Sequence, residues 1–454
     1  MTAEENVSVL LGDSRKAIRT MAVPLFLALI VVQANSIADR AWSSGLGMES
    51  LAAIGLCAPI YLVINGLGTG IGVGGAAAVA RFIGSGDRDR AASAAVQTLI
   101  LSVVVSAVLT PFLVFFCEDI LEILGSEGFT DVAYDYMIVI MITAPLFIIN
   151  GAIAGLLRGE GAAKMSTAMM VVTALLNIIL DPILIYVLDM GIAGASTATV
   201  VATLVSTAFG SGFYLRGYVG SRIRGHGFSG SEMHDVMDVA VPQMAEYTVM
   251  YGMNLVLNWF VVFCAGAEGF AIYSVPVMVV DLALLPAYAI GSALVPVASS
   301  ARGQGDVERM SEAFRYSLKL SLITILALMM MLIVLPEVFL LPFTYSDSTS
   351  YLQDDMVEAT RIMSLCIPLY FVIPISASFL QALGMADRSL FHAIFRNLIF
   401  AGFYGVASLF SLEGIYWALV VGSLVTGSLI YYSAVMGFKR FRAGLMDAPA
   451  VAPR

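Results

Sequence analysis

Apolar runs long enough to cross a membrane recur along the whole 454-residue chain, and they limit its fold more than any other feature. Inside hydrocarbon every backbone N–H and C=O must find its partner within the protein, so an apolar run of about 20 residues reads as one spanning helix. Twelve such runs are expected, at 18–42, 51–80, 91–116, 131–157, 165–188, 191–214, 236–264, 268–299, 310–341, 354–380, 389–411 and 413–437. The chain is 59% hydrophobic and 12% charged, against about 25% charged in a soluble domain. The fold class is therefore all-α integral membrane, with twelve transmembrane helices. No cleavable leader is expected: residues 1–17 are polar and hold Arg15 and Lys16, and the apolar run from Ile18 has no small-residue cleavage site.

Basic residues orient these spans. Twenty of the 23 fall at the termini or after even-numbered spans, among them Arg81, Arg90, Arg158, Lys164, Arg222, Arg224, Arg302, Arg388 and Arg454. The other side has Arg40 and acids such as Glu118, Asp119, Asp347, Asp354 and Asp355. The positive-inside rule then places both termini in the cytoplasm of a multi-pass protein of the cell membrane. Arg361 and Arg396 stand apart, inside spans. A net charge of −10 excludes nucleic acid as a partner; the lipid bilayer and small organic molecules are the partners expected, with a monomer as the working unit.

The sequence also repeats. Gly84-Ser-Gly-Asp-Arg-Asp-Arg90 returns as Gly303-Gln-Gly-Asp-Val-Glu-Arg309, an offset of 219 residues. Val23-Pro24 returns as Val241-Pro242 at 218, and Gly161-Ala-Ala-Lys164 as Gly384-Met-Ala-Asp387 at 223. Gly191-Ile192 and Gly414-Ile415 share the 223 offset. Each match alone is weak, but a near-constant offset along the chain reads as duplication. Six spans is an even number, so both halves insert the same way, as in parallel-repeat carriers. The expected divisions are a cytoplasmic segment 1–17, an N-lobe 18–214, a cytoplasmic linker 215–235, a C-lobe 236–438 and a cytoplasmic tail 439–454. A central cavity between the lobes is the expected substrate site.

Two carboxylates sit where lipid should be. Asp39 lies 20 residues beyond Arg19 in span 1, and Asp181 lies 17 beyond Lys164 in span 5. At 1.5 Å per residue both are roughly 25–30 Å from the inner surface, so they share a depth. A charge at the bilayer centre costs about 3 kcal/mol on insertion scales, which makes such a residue a functional candidate. Asn177 is one helical turn before Asp181 and faces the same way. Thr199 returns from a tight hairpin eight residues into span 6. Two carboxylates, an amide and a hydroxyl supply hard oxygen ligands, suited to Na⁺ or a proton.

The runs Ser36-Ile-Ala-Asp39, Leu51-Ala-Ala-Ile-Gly55, Leu157-Arg-Gly-Glu-Gly161 and Leu176-Asn-Ile-Ile-Leu-Asp-Pro182 resemble the multidrug and toxic compound extrusion (MATE) transporters. The resemblance covers nearly the whole chain and is strongest to the archaeal, DinF-like branch. It implies a V-shaped twelve-helix antiporter that exchanges Na⁺ or H⁺ for organic, mostly cationic or amphipathic compounds. It further implies a cation site at Asp39, Asp181, Asn177 and Thr199, with Tyr136 in the same polar network. Asn150 matches a polar position of span 4, whereas Gly151 and Ala154 replace asparagines frequent in that branch. Asn35 and Ser36 stand where the branch has a tyrosine and an asparagine before the first acid. A thinner network is therefore expected, with Na⁺ and H⁺ both open.

The duplicate did not keep the acids: Leu257 repeats Asp39 and Tyr404 repeats Asp181. Glu246 and Asp281 are further acids of the second half, a second candidate site. Alternatively they are charge-compensated, Glu246 by Arg396 at comparable depth and Asp281 by Arg361. The chain has no phosphate loop, and its three histidines and four cysteines have no metal-ligand spacing, so no cofactor and no enzymatic role are expected. A lipid-linked oligosaccharide flippase would favour a cavity rich in arginine or lysine, where this first half has acids. An ion gradient is the expected energy source.

Overall fold

Each apolar run folds as helix, and Asp, Gly and Pro decide where helices stop and start. The computed structural model describes residues 3–220, 225–344 and 350–447. Arg222, Arg224, Asp347 and Arg454, used above to orient the chain, lie outside the described residues. The helices are α1 (Ala3–Leu11), α2 (Ser14–Ser44), α3 (Met48–Gly84), α4 (Arg88–Phe115), α5 (Cys117–Ile123), α6 (Thr130–Ile142), α7 (Ala144–Gly159), α8 (Ala163–Pro182) and α9 (Gly191–Leu215). The second half has α10 (Gly230–Gln304), α11 (Val307–Val334), α12 (Pro336–Thr344), α13 (Gln353–Ser364), α14 (Ile367–Tyr370), α15 (Val372–Ala382), α16 (Ala386–Ala407) and α17 (Leu412–Asp447). No strand occurs among the described residues.

Eleven stretches of this set are long and apolar enough to span a bilayer, with α10 counted as two arms about Gly266. The pair α6 and α7, bent by 51°, makes a twelfth. At Gly266 the backbone turns through φ 65° and ψ −162°, a conformation open to glycine, so one helix folds back as two spans. The bend between α6 and α7 falls at Thr143, whose Oγ1 donates to the Val139 carbonyl at 2.7 Å. Span 9 ends earlier than its hydropathy suggested, because Pro336 closes α11 and opens α12. Helix also extends beyond the apolar runs: residues 3–11 form α1, and α17 runs on to Asp447.

The duplicated motif is a stop-and-restart signal. Gly86 and Gly305 adopt φ of 81° and 70°, ending α3 and α10. One residue later Asp87 and Asp306 cap the next helices, accepting from the backbone N–H of Arg90 at 3.0 Å and Arg309 at 2.9 Å. The first glycines of the two copies meet each other's helix. A Cβ on Gly84 would lie 2.0 Å from the Ser300 carbonyl oxygen, and one on Gly303 would lie 1.9 Å from that of Arg81. Residues 81 and 300 are themselves partners in the repeat, so the contact is reciprocal, as a two-fold axis requires. Arg81 also pairs with Asp235 at 2.6 Å and Arg90 with Glu232 at 2.7 Å, joining the halves on the face that bears both termini.

Helix α3 is the element on which both halves lean. Its Gly68 and Gly72 abut α7: Cβ atoms there would lie 2.8 Å from Ile148 and 2.4 Å from the Gly151 carbonyl. Gly66, Gly70 and Gly74, two residues out of phase and so on the other side of the helix, abut Tyr247, Met244 and Ala240 of α10. Small residues let backbones approach this closely in a membrane, where packing rather than the hydrophobic effect drives association. On the α7 face Gly155 comes closest, its missing Cβ only 2.3 Å from the Gly72 backbone. Overpacking such a contact costs about 1–3 kcal/mol. Gly155→Val should thus lower the melting temperature of purified protein by several degrees or abolish folding, whereas Gly212→Val, with nothing within 4 Å, should leave it unchanged.

Candidate cation site

Asp181 ends up beside its partners because of how α8 terminates. Pro182 lacks an N–H, so the ladder fails after Asp181 and the chain widens into a π turn, Ile183–Val187. Asp189 and Gly191 then take φ of 54° and 56°, reversing the chain within a few residues. Gly194 of α9 sits so close that a Cβ would lie 2.8 Å from the Leu184 backbone. This tight hairpin lays the first turns of α9 along the last turns of α8.

The result is a hydrogen-bonded row. Asn177 Nδ2 donates to Asp181 Oδ1 at 3.0 Å and to Thr199 Oγ1 at 3.3 Å. The Thr199 hydroxyl donates onward to the Ala195 carbonyl at 3.1 Å, so its oxygen is free to accept. Asp181 is fully buried and Asn177 nearly so. The second carboxylate oxygen, Asp181 Oδ2, is buried and has no hydrogen-bond partner among the described residues. A buried ionised carboxylate left half-paired is expensive, so this oxygen calls for a proton or a cation.

Asp39 approaches from α2, which packs along α8. It is half-buried and close enough to Asp181 for the two carboxylates to interact electrostatically. Asn35, one turn earlier on α2, keeps a buried Oδ1 without a partner among the described residues. Ser36 instead turns inward on its own helix and donates to the Val32 carbonyl at 3.3 Å. Tyr136 is buried within electrostatic range of both acids. At the far end of α2, the Tyr186 hydroxyl of the π turn donates to the Trp42 carbonyl, tying α2 to the end of α8.

Asn150 does not join Asp181. Its amide donates to Ser206 at 3.2 Å and Thr207 at 3.0 Å, about two turns of α9 beyond Thr199. A residue that the sequence reading passed over does join: Tyr61 of α3 lies within electrostatic range of Asp39. The signal was a lone tyrosine in an apolar run, with Asn65 one turn on, whose amide donates to the Tyr61 carbonyl at 3.0 Å.

Of the two alternatives for the acids of the second half, the ion pairs are not formed among the described residues. Arg361 pairs with Glu337 of α12 at 3.3 Å, on the surface, rather than with Asp281. The early end of α11 explains this, since it brings α12 alongside α13. Glu246 accepts from Ser389 Oγ at 2.9 Å; Arg396 acts on it electrostatically, but no ion pair joins them among the described residues. Asp281 is exposed although protein surrounds it, as befits a group lining a crevice, with Tyr273, Tyr288 and Tyr404 within electrostatic range. Where the first half has Asp181, the second has Tyr404, buried and hydrogen-bonded to Tyr273 at 3.0 Å.

A family model for MatE matches residues 24–183 and 242–403, one copy in each half of the chain. The chain belongs to the MatE family. This MatE protein is similar to the multidrug export protein MepA of Staphylococcus saprophyticus, 24% identical over 418 residues, 90% of this chain and 91% of that protein. It is 30% identical over 205 residues to a FAD transporter of Shewanella oneidensis, a match that spans 44% of this chain and 45% of the relative. Among solved structures it resembles a MATE crystallised in complex with MaL6, at TM-score 0.93 and 29% identity over 97% of this chain and 99% of that one. The twelve-helix fold of that family is thus the fold of this MatE protein, a multi-pass membrane protein. In Asp181→Asn the amide removes the buried charge while keeping an oxygen for Asn177. That variant should unfold at the same temperature as the parent or higher, as checked by thermal unfolding in detergent without added Na⁺.

Proposed function

We propose that this MatE protein is a cation-coupled multidrug efflux antiporter that exports organic, mostly cationic or amphipathic compounds by alternating access. The observation that carries the reading is the buried, half-paired carboxylate of Asp181, held by Asn177 and Thr199 with Asp39 nearby. A proton or Na⁺ at Asp181 relieves both the desolvation of that carboxylate and its repulsion with Asp39. Helices α2 and α8 then draw together or part according to occupancy. Both carry their acids deep in the membrane, so that movement is felt along the wall of the first half. Export follows when the loaded cation and the organic substrate prefer opposite states of the same two-state protein.

Alternating access also needs a closure that opens. On the face bearing the termini the halves are joined by Arg81 with Asp235, and by Arg90 with Glu232 and Asp235. Partly exposed ion pairs are worth about 0.2–1 kcal/mol each, weak enough to part during a cycle. We take this face as cytoplasmic, in the cell membrane, from the distribution of basic residues. The N-lobe, linker and C-lobe divisions, and a monomer as the working unit, belong to the same reading. So does the archaeal, DinF-like branch, supported by the runs around Asp39 and Asp181; the curated relatives described above are bacterial.

Metabolite export is the second reading. It is favoured by the 30% identity to a FAD transporter over 205 residues. Coupling through Glu246 and Asp281 is its counterpart on the ion side, favoured by the exposure of Asp281 in the second half. Proteoliposomes loaded with a fluorescent cationic dye, under separate Na⁺ and pH gradients, distinguish these. Asp39→Asn and Asp181→Asn should each cut gradient-driven dye export at least tenfold, while Asp281→Asn should retain most of it. Undiminished export by both first-half variants would overturn the coupling role.

A further inference from the structure

A well-formed cavity lies away from the acids. It has a volume of about 820 Å³ and lies on the face bearing both termini, between the start of α2 and the first turns of α11. One helix belongs to each half of the chain, so the cavity straddles their junction. Its lining has four acids and four bases, yet these are not equivalent. Asp13 and Asp306 are helix caps, accepting from the backbone of Lys16 at 2.8 Å and Arg309 at 2.9 Å. Glu312 pairs with Arg15 at 2.9 Å and Glu308 with Arg442 at 3.3 Å. The Arg309 guanidinium is taken up by the carbonyl of Leu10 and the amide of Gln304. Arg315 and Lys319, four residues apart on α11, have no ion-pair or hydrogen-bond partner among the described residues.

We propose that this cavity is a binding site for the headgroup of an anionic phospholipid. Two unpaired cations one helical turn apart supply the charge for a phosphodiester, and Tyr316 beside them supplies a hydroxyl. What selects a lipid over a soluble anion is the gradient along α11. Past the cations the cavity wall becomes Leu320 and Ile323, so polar and apolar lining follow in the order of headgroup and acyl chain. Lys319 also borders an apolar groove of about 400 Å³, walled by Leu318, Leu322 and Leu369, which offers an acyl chain a second berth. Lysine and arginine stems lie along such apolar surface while their heads reach the phosphate level. A lipid seated there touches α2 and α11 together and so favours the state in which the halves are joined on this face. The site is independent of the transport reading.

The test uses the full chain, purified and titrated with phosphatidylglycerol or phosphatidylcholine in detergent, with bound lipid read by native mass spectrometry. Removing two interfacial cations in Arg315→Gln with Lys319→Gln should weaken phosphatidylglycerol binding roughly 30-fold, leave phosphatidylcholine binding unchanged, and do so while Arg361→Gln binds like the parent. On the unmodified protein, a phosphatidylglycerol bearing a diazirine on its acyl chain should label Leu320, Ile323 or the groove, which keeps the test open if the double variant fails to fold. Equal phosphatidylglycerol binding by the double variant, or labelling confined to other surfaces, would overturn the proposal. Competition by inorganic phosphate as strong as by phosphatidylglycerol would overturn it too, in favour of a soluble anion.

Discussion

Close approach of α3 to two different helices is the constraint from which the rest of the architecture follows. A residue pair two positions apart on a helix points to opposite sides, so alternate glycines make two smooth faces on one rod. One face receives α7 of the same half and the other receives α10 of the opposite half. Among the described residues no other helix shows that pattern over so many turns. Since lipid tails are as apolar as leucine, only such shape fit and polar contacts hold the halves together. The reciprocal contacts of Gly84 with Ser300 and Gly303 with Arg81 then fix where the two-fold relation runs.

Within that frame the first half places an ionisable group at depth without an ionic partner. Pro182, the π turn and the Asp189–Gly191 reversal together bring α9 back onto α8. They align Asn177, Asp181 and Thr199 by hydrogen bonds shorter than 3.5 Å, leaving one carboxylate oxygen over. Structure for its own sake would have removed that cost, as the duplicate did by placing Tyr404 there and pairing it with Tyr273. On the proposed reading, the contrast between equivalent positions reflects an acid kept for the cation it binds.

Much of this was legible beforehand, for definite reasons. Span length and the six-plus-six repeat follow from hydropathy and from self-similarity, both of which survive without knowledge of packing. Asn177, Asp181 and Thr199 were legible because helical spacing and a short hairpin are local. The pairing of Asn150 with Ser206 and Thr207 was not legible, for the opposite reason: it depends on where α7 sits after the bend at Thr143, which no local pattern encodes. The pairing of Arg361 with Glu337 instead of Asp281 likewise rests on Pro336 ending α11 early. Tyr61 went unnoticed since a tyrosine in an apolar span has no spacing signal; only the fold brings α3 beside α2 at the depth of Asp39.

The account's central claim is that Asp181 carries the coupling cation. Infrared difference spectroscopy of the purified protein tests it most directly, by following the protonated-carboxyl band as pH and Na⁺ are varied. The account predicts a titrating band that vanishes in Asp181→Asn and that Na⁺ displaces, or shifts to lower pH, in the parent. A band that persists unchanged in that variant, with no response to Na⁺ or pH attributable to Asp181, would contradict it.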